Sequence, residues 1–494
     1  MRYLGFDLGA SSGKMMEGFL DGRRLKTEII HRFSNRQMRM AGGLYWDIIS
    51  IYRNLELGIK KAHREAEGAL FSVGMDSFCN DFGLIDTGGR LFNQVRCYRD
   101  ERTERHAREI YKRVPKRELY DITGSQIALF NTSMQMASMS YEGESFLLDH
   151  CVHALLIPEL LGYLLTGETY TEYTMASVTQ LMDWRTGRWS DGLMERLGIR
   201  KDIFPGIVET GTVTGKIRRE SLTEAPGDVR VVAVAGHDTA SAVAALPTEK
   251  EHVGYISSGT WSIVGTEVME PLLTEEAFEA NIAYEGGVDH RYRMIKNVMG
   301  LWILQECLLD YREKYGRELS YGEVEQLAAE AEPWQFFIDP DDSAFYMPGD
   351  MLKKVSDYCV RTGQGPVTSI GAVIRTVLEG LAFKYRMVFE LLERIGGHEL
   401  EEIYILGGGG QNRTLDRFVA EACARPVYAG PFEAALAGNL IVQMKSAGEI
   451  SGLKEGRGII RKSFEILEFA PKQERLWDEQ YYRWKCVLGK ENGQ

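Results

Sequence analysis

Asp238 is the first residue whose setting suggests chemistry. It lies in VVAVAGHDTASAV (231–243), where an apolar, strand-like run breaks at Gly236 and His237, Asp238 and Thr239 open a helical pattern. Aspartate and threonine at such a junction commonly cap the free amides of a first helical turn. The stretch alone leaves open whether Asp238 does more than that. A second group of candidates suits an anion. FDLGASSGK (6–14) sets Asp7 before a turn of small residues, and ISSGTWS (256–262) echoes it, with Gly259 matching Gly9 and Ser262 matching Ser12. Each turn lies between strand-like runs and reads as a hairpin that can offer backbone amides to phosphate oxygens, with the Ser11 and Ser12 hydroxyls beside them. Asp7 is placed to hold Mg²⁺ through water.

GASSGK is not a Walker A loop. Its spacing is G-x3-G-K rather than G-x4-G-K-[ST], and Met15 stands where a magnesium-binding hydroxyl belongs. LGGGGQN (406–412) follows one strand-like run and precedes the helical RTLDRFVAEACA. Such a turn either lets the backbone approach a flat or anionic ligand or serves only as a tight connection. His150 and His153 in DHCVH have metal-ligand spacing, but they precede the apolar ALLIPELLGYLL without a partner site, which favours packing or capping. LYWDI and WILQ fit a core, and KRELYDITG fits a solvated surface.

The elements that must position these residues are mixed. Ile48, Tyr52, Leu55, Ile59 and Ala62 fall at helical spacing, and LFSVGMDSFCNDFGLID supplies two strand-like runs around a polar loop. NVMGLWILQECLLDY and SIGAVIRTVLEGLAFKYRMVFELLERI read as helices, and IYILGGGGQN begins as a strand. The pattern predicts an α/β protein built from a duplicated domain, residues 1–245 and 246–494, with a cleft between the halves as the ligand site. Two hairpins facing one another there would grip a triphosphate.

The length, 494 residues, exceeds what one hydrophobic core usually serves. An apolar fraction of 44% with 26% charged residues is that of a globular chain. A net charge of −13 argues against a nucleic-acid partner, which needs basic clustering. Seven scattered cysteines without C-x-x-C suggest reduced thiols rather than disulfides or a zinc ribbon. No apolar run approaches the roughly 18 residues of a membrane span. The expectation is a cytoplasmic protein with no membrane partner; its oligomeric state is left open.

Eight motifs in order carry a resemblance: DLGASSGK (7–14), YRDERT (98–103), HDTASAV (237–243), SSGTWS (257–262), EGG (285–287), KNVMGLWILQ (296–305), GGGGQN (407–412) and AGPFEAALAGN (429–439). The chain resembles the FGGY family of carbohydrate kinases, in the actin, hexokinase and heat-shock chaperone superfamily, and within it the rhamnulokinase branch. That implies two actin-like (ribonuclease H-like) domains and a MgATP-dependent transfer of the γ-phosphoryl group to the 1-hydroxyl of a ketose. L-rhamnulose is the first candidate; L-fuculose, xylulose, ribulose or a polyol are alternatives, as is a non-catalytic sugar or nucleotide sensor.

By resemblance, Asp238 is the base that accepts the sugar hydroxyl proton. Ala10, Ser11, Ser12, Gly13, Lys14 and Thr260 contact ATP phosphates, Gln305, Gly408 and Gly409 the nucleotide, and Asp7 anchors magnesium. Asp76, Phe78, Cys79, His237, Thr239 and Asn297 form the sugar side, with Asp100 and Arg102 on a nearby loop. The branch carries Thr-Trp-Gly where this chain has Ser77, Phe78 and Cys79. That departure bears on the sugar, not on the kinase chemistry.

Overall fold

The strand Arg2–Leu8 buries Tyr3, Leu4, Phe6 and Leu8 completely, and Asp7 is the only acidic residue in the run. A strand covered on both faces reads as nearly continuous apolar sequence. The structure is a computed structural model and describes residues 1–65, 70–222 and 228–491. Contacts divide the chain into two compact units. The first holds Met1–Glu249, Val268–Met294 and Ala434–Phe464; the second holds Lys250–Glu267, Ile295–Glu433 and Glu465–Gln494.

In the first unit a six-stranded sheet runs in the order Thr212–Lys216, Arg230–Ala233, Leu70–Ser77, Arg2–Leu8, Ser12–Asp21, Arg24–Ser34. Its three central strands are parallel, and the register sets Asp7 beside Asp76 and Ser77 beside His237. Candidate residues far apart in sequence thus meet at the carboxyl ends of parallel strands, where open α/β sheets hold their ligands. The helix Ile48–Glu65 presents Ile48, Ile51, Leu55, Ile59 and Ala62 to the core at the predicted spacing. The helix Ala434–Ser446 also packs on this sheet, although it comes from the last part of the chain.

In the second unit the hairpin Val253–Ser258 and Trp261–Val268 pairs with Glu402–Leu406, and Val427–Ala429 and Leu467–Phe469 follow outward. The helix Ile370–Gly396 begins where Ser369 Oγ accepts the Ala372 amide and ends at Gly397, whose φ of +72° suits glycine. Its Phe383 packs among Trp477, Tyr481 and Trp484 of the helix Glu474–Glu491.

Two readings change. NVMGLWILQECLLDY is not one helix: Asn297–Met299 finishes the strand Tyr292–Met299, and the helix Trp302–Tyr315 starts only after Gly300. KRELYDITG is not merely a solvated face. Lys116–Thr123 is a helix that buries Leu119, Tyr120 and Thr123 and ends at left-handed Gly124.

Several carboxyls are buried without enough charge compensation. Burial pushes Asp81 up to about 7, Glu159 up to about 8 and Glu379 up to about 7, and raises Asp76, Glu172 and Asp416. Such groups bind more protons folded than unfolded, so stability is fully present below the unfolded pKa of roughly 4 and is lost as pH rises through the folded values. The melting temperature should therefore fall between about pH 4 and about 8. Glu159 Oε1 accepts the Glu172 amide at 2.9 Å. Glu159→Gln keeps that acceptor, so scanning calorimetry should show little change at the acid end and a gain of a few degrees at the alkaline end.

Candidate active site

The first hairpin turn is built to face an anion with its amides. The Gly9 amide returns to the Ser12 carbonyl at 2.9 Å. Asn35 Nδ2 holds the Gly9 carbonyl at 2.9 Å, the Asn35 amide holds the Ser11 carbonyl at 3.0 Å, and Gln37 Nε2 holds the Ala10 carbonyl at 3.1 Å. Tying back these oxygens removes the groups that would repel phosphate. Ser11 is exposed, while Ala10, Ser12 and Lys14 are half-buried. Gly13 is buried, and a Cβ there would stand 2.2 Å from the Phe33 ring. Asp7 and Lys14 are cross-strand partners beside the turn.

The second unit repeats the device. The Gly259 amide meets the Trp261 carbonyl at 3.0 Å, and the Leu301 and Trp302 amides take the Gly259 and Thr260 carbonyls at 3.0 and 3.2 Å. The first turn is one residue longer, so by strand register Ser262 corresponds to Gly13 rather than to Ser12. Thr260 and Gln305 are both exposed, with Thr260 Oγ1 3.5 Å from Gln305 Oε1. Gly300 admits no side chain, because a Cβ would lie 2.7 Å from Ser262 Oγ. Gly408 is open, whereas Gly409 is buried with its Cβ position 2.0 Å from Ser258 Oγ. The neighbouring Asn297 is half-buried on its strand.

Asp238 opens the helix Asp238–Ala244. Its Oδ1 accepts the Thr239 amide at 2.6 Å and the Thr239 hydroxyl at 3.2 Å, and His237 Nε2 lies 3.4 Å away. The side chain is 32% exposed. Asp238 stands at the first helical position, and the cap position belongs to His237, whose side chain makes no capping bond. Behind Asp238, His237 Nδ1 lies 2.9 Å from Arg293 Nη2 and 3.3 Å from Glu285 Oε2. Burial and the Arg293 guanidinium work against an imidazolium, whereas a charged Cys79 and Glu285 work for it and push the ring up to about 10.

Asp76 is fully buried. Its Oδ2 accepts Asn439 Nδ2 at 2.6 Å, and burial, with the negative Asp7 alongside, holds its pKa well above the usual range. Phe78 stacks on Trp46 at 4.4 Å, and half-buried Cys79 accepts Asn80 Nδ2 at 3.1 Å. The Trp46 indole donates to Asp81 Oδ2 at 2.6 Å, Gln135 Nε2 donates to Asp81 Oδ1 at 2.9 Å, and Arg102 Nη2 reaches Gln135 Oε1 at 2.7 Å. Asp81, Gln135, Arg293 and the partner roles of Glu285 and Asn439 were not visible in the sequence, beyond the last two lying in the EGG and AGN motifs.

Residues 2–245 match the model of the FGGY family of carbohydrate kinases, N-terminal domain, and residues 254–447 match its C-terminal domain. The chain belongs to this family. It is 35% identical to the Bacteroides thetaiotaomicron rhamnulokinase over 98% of this chain and 99% of that protein. It is also 36% identical to the Oceanobacillus iheyensis rhamnulokinase over 94% and 98%. Among solved structures, the ligand-bound xylulose kinase from Lactobacillus acidophilus superposes with a TM-score of 0.81 at 14% identity, covering 99% of this chain and 98% of that one. Plasmodium falciparum glycerol kinase with ADP gives 0.79 at 15% identity over 99% and 98%. The two-domain α/β fold of the FGGY sugar kinases is thereby that of this chain.

The helices that carry Asp238 and Asn439 meet through a glycine. A Cβ on Gly438 would stand 1.8 Å from the Ser241 carbonyl oxygen. Gly438→Ala must push the two helices apart, and denaturant unfolding should show a loss on the order of 1 to 3 kcal/mol.

Proposed function

We propose that this enzyme, an ATP-dependent carbohydrate kinase, phosphorylates the 1-hydroxyl of L-rhamnulose. The observation that carries the reading is the identity of about a third to proteins named rhamnulokinase over nearly the whole chain, together with a partly exposed Asp238 whose Oδ1 is held by Thr239. A sugar hydroxyl is a poor nucleophile, and Asp238 Oδ2 takes its proton as the phosphoryl group arrives. Thr239 and His237 hold the carboxylate and the sugar in line. The turn 10–14 and Thr260 bind phosphate oxygens, and Gln305, Gly408 and Gly409 bind the nucleotide.

Among the described residues no group of three or more His, Cys, Asp or Glu stands together to hold a metal ion. That donor set fits a Mg²⁺ that arrives on the nucleotide phosphates and keeps its waters, with Asp7 as the anchor. Bound there, it would neutralise charge on the phosphates. No described helix is long and apolar enough to cross a membrane. The use of ATP and a free sugar suits the cytoplasm.

Asp238→Asn is nearly isosteric but cannot take the proton. Turnover with L-rhamnulose should fall by about 10² to 10⁴-fold, while ATP affinity by calorimetric titration stays unchanged. Wild-type turnover in this variant would remove the assigned base.

A second reading rests on Phe78 and Cys79. The Cys79 side chain occupies space beside His237, and the Phe78 ring offers no indole donor. One mismatched group in a fitted sugar site costs on the order of 1 to 3 kcal/mol. Coupled assays across L-rhamnulose, L-fuculose, L-ribulose, L-xylulose and D-xylulose should therefore give a different ranking for the wild type and for Phe78→Trp with Cys79→Gly. An unchanged ranking led by L-rhamnulose would show that this segment does not set specificity.

A further inference from the structure

Arg293 is fully buried, and nothing in the proposed reaction uses it. Its Nε donates to the Gly286 carbonyl at 3.2 Å. Its Nη2 lies 2.9 Å from Glu285 Oε2 and 2.9 Å from His237 Nδ1. Guanidinium carries only donors. A hydrogen bond from Nη2 to Nδ1 therefore requires that Nδ1 carry no proton.

The charged and titratable groups facing the ring are Cys79, Asp238, Glu285 and Arg293, and the His237 amide donates to Thr174 Oγ1 at 3.3 Å. Glu285 and Arg293 neutralise one another in the interior, so the pair demands no charge on the ring. Glu285 Oε2 is 3.3 Å from Nδ1 and makes no aligned hydrogen bond there. The contact to Arg293 does meet hydrogen-bond geometry.

We propose that Arg293, held by Glu285, fixes His237 as the neutral ring with its proton on Nε2, and that this N–H directs the Asp238 carboxylate. The inference rests on Asp238 being the base of the proposed reaction. Nε2 faces Asp238 Oδ1, where the Thr239 amide and hydroxyl already converge. The two Thr239 donors on Oδ1, with Nε2 3.4 Å from the same oxygen, leave Oδ2 as the oxygen that receives the substrate proton. The other two states of the ring serve the base badly. A proton on Nδ1 alone would turn the Nε2 lone pair against a carboxylate oxygen. An imidazolium would lower the proton affinity of its neighbour. Burial and Arg293 oppose an imidazolium while Cys79 and Glu285 favour one, and an Nδ1 that accepts from Arg293 leaves the ring neutral. Arg293 and Glu285 are thus positioning residues, acting on the reaction through His237.

The test is nitrogen NMR of the full chain labelled at histidine, near neutral pH and without ligands, with the His237 signals identified by their loss in His237→Gln. The wild type should show a bare Nδ1 and a protonated Nε2. Arg293→Met leaves Glu285 buried without its cation, so the ring should become doubly protonated and kcat should fall at least tenfold with KM for ATP unchanged. Arg293→Met combined with Glu285→Gln should return the ring to neutral. Arg293→Lys, which keeps a donor and a charge, should retain the wild-type pattern and supplies the comparison if the Met variant does not fold. A protonated Nδ1 in the wild type overturns the proposal, as does an Arg293→Met variant with unchanged ring signals and unchanged kcat. The NMR pattern is independent of turnover, so a failure of the kinase reading would show separately, in Asp238→Asn.

Discussion

A carboxyl group buried without a cation, Asp76, sets the terms for the site around it. It stands beside Asp7 in the parallel register, so two negative charges there would repel across a low-dielectric interior. The structure answers with a polar ladder. Asn439 donates to Asp76, Gln443 Nε2 donates to Asn439 Oδ1 at 2.7 Å and to the Leu4 carbonyl at 3.0 Å, and Ser72 Oγ donates to Gln443 Oε1 at 2.7 Å. The ladder fixes the Asp76 carboxyl beneath Asp7, and burial with the neighbouring negative charge raises its pKa although the Asn439 bond works the other way. The ladder also demands that the helix Ala434–Ser446 lie close on the sheet. Gly5 and Gly74 permit this, since Cβ atoms there would stand 3.3 and 2.6 Å from Asn439 atoms.

The two glycine turns, proposed to bind phosphate, would do so with backbone rather than with charge. A loop of small residues exposes carbonyls as readily as amides, and carbonyls facing an anion cancel the benefit. In the first unit, side chains Asn35 and Gln37 take the carbonyls; in the second, the opening amides of the helix Trp302–Tyr315 do so. Different partners thus produce the same polarity. The equivalence of the two turns lies in their tied carbonyls and not residue for residue, since Ser262 stands in the place of Gly13.

The glycine turns, the strand–break–helix around Asp238 and the α/β character were legible because they depend on local residue types. The helix Ile48–Glu65 was legible for the same reason, since its apolar stripe repeats at helical spacing. Local pattern failed at Asn297–Met299, where apolar residues suited both strand and helix and only Gly300 marked the change. It also gave no sign of which distant segments pack together. The segments Val268–Met294 and Ala434–Phe464 lie in the second half of the chain and pack with the first unit, bringing Glu285, Arg293 and Asn439 with them. Sequence spacing carries no trace of such contacts. Motif membership flagged Glu285 and Asn439, but only burial and distance reveal what they hold.

Cys79 shows how the sugar side is separated from the phosphate side. The aromatic stack of Trp46 and Phe78 is anchored by the Trp46 indole on Asp81, and Asp81 in turn ties Gln135 and, through it, Arg102. This network is buried and shares no residue with the turn that holds Ala10 to Lys14. A change at position 79 alters the wall beside His237 while the carbonyl ties of Asn35 and Gln37 stay as they are. If the proposed roles hold, substrate choice can drift within the first unit without loss of the phosphate turn, and the limit on that drift is His237. Any side chain at 79 must leave the imidazole in reach of both Arg293 and Asp238, because the ring joins the wall of the sugar site to the carboxylate. A small, uncharged thiol meets that condition, whereas a cation at the same point would press on Arg293 and an anion would draw a proton onto the ring.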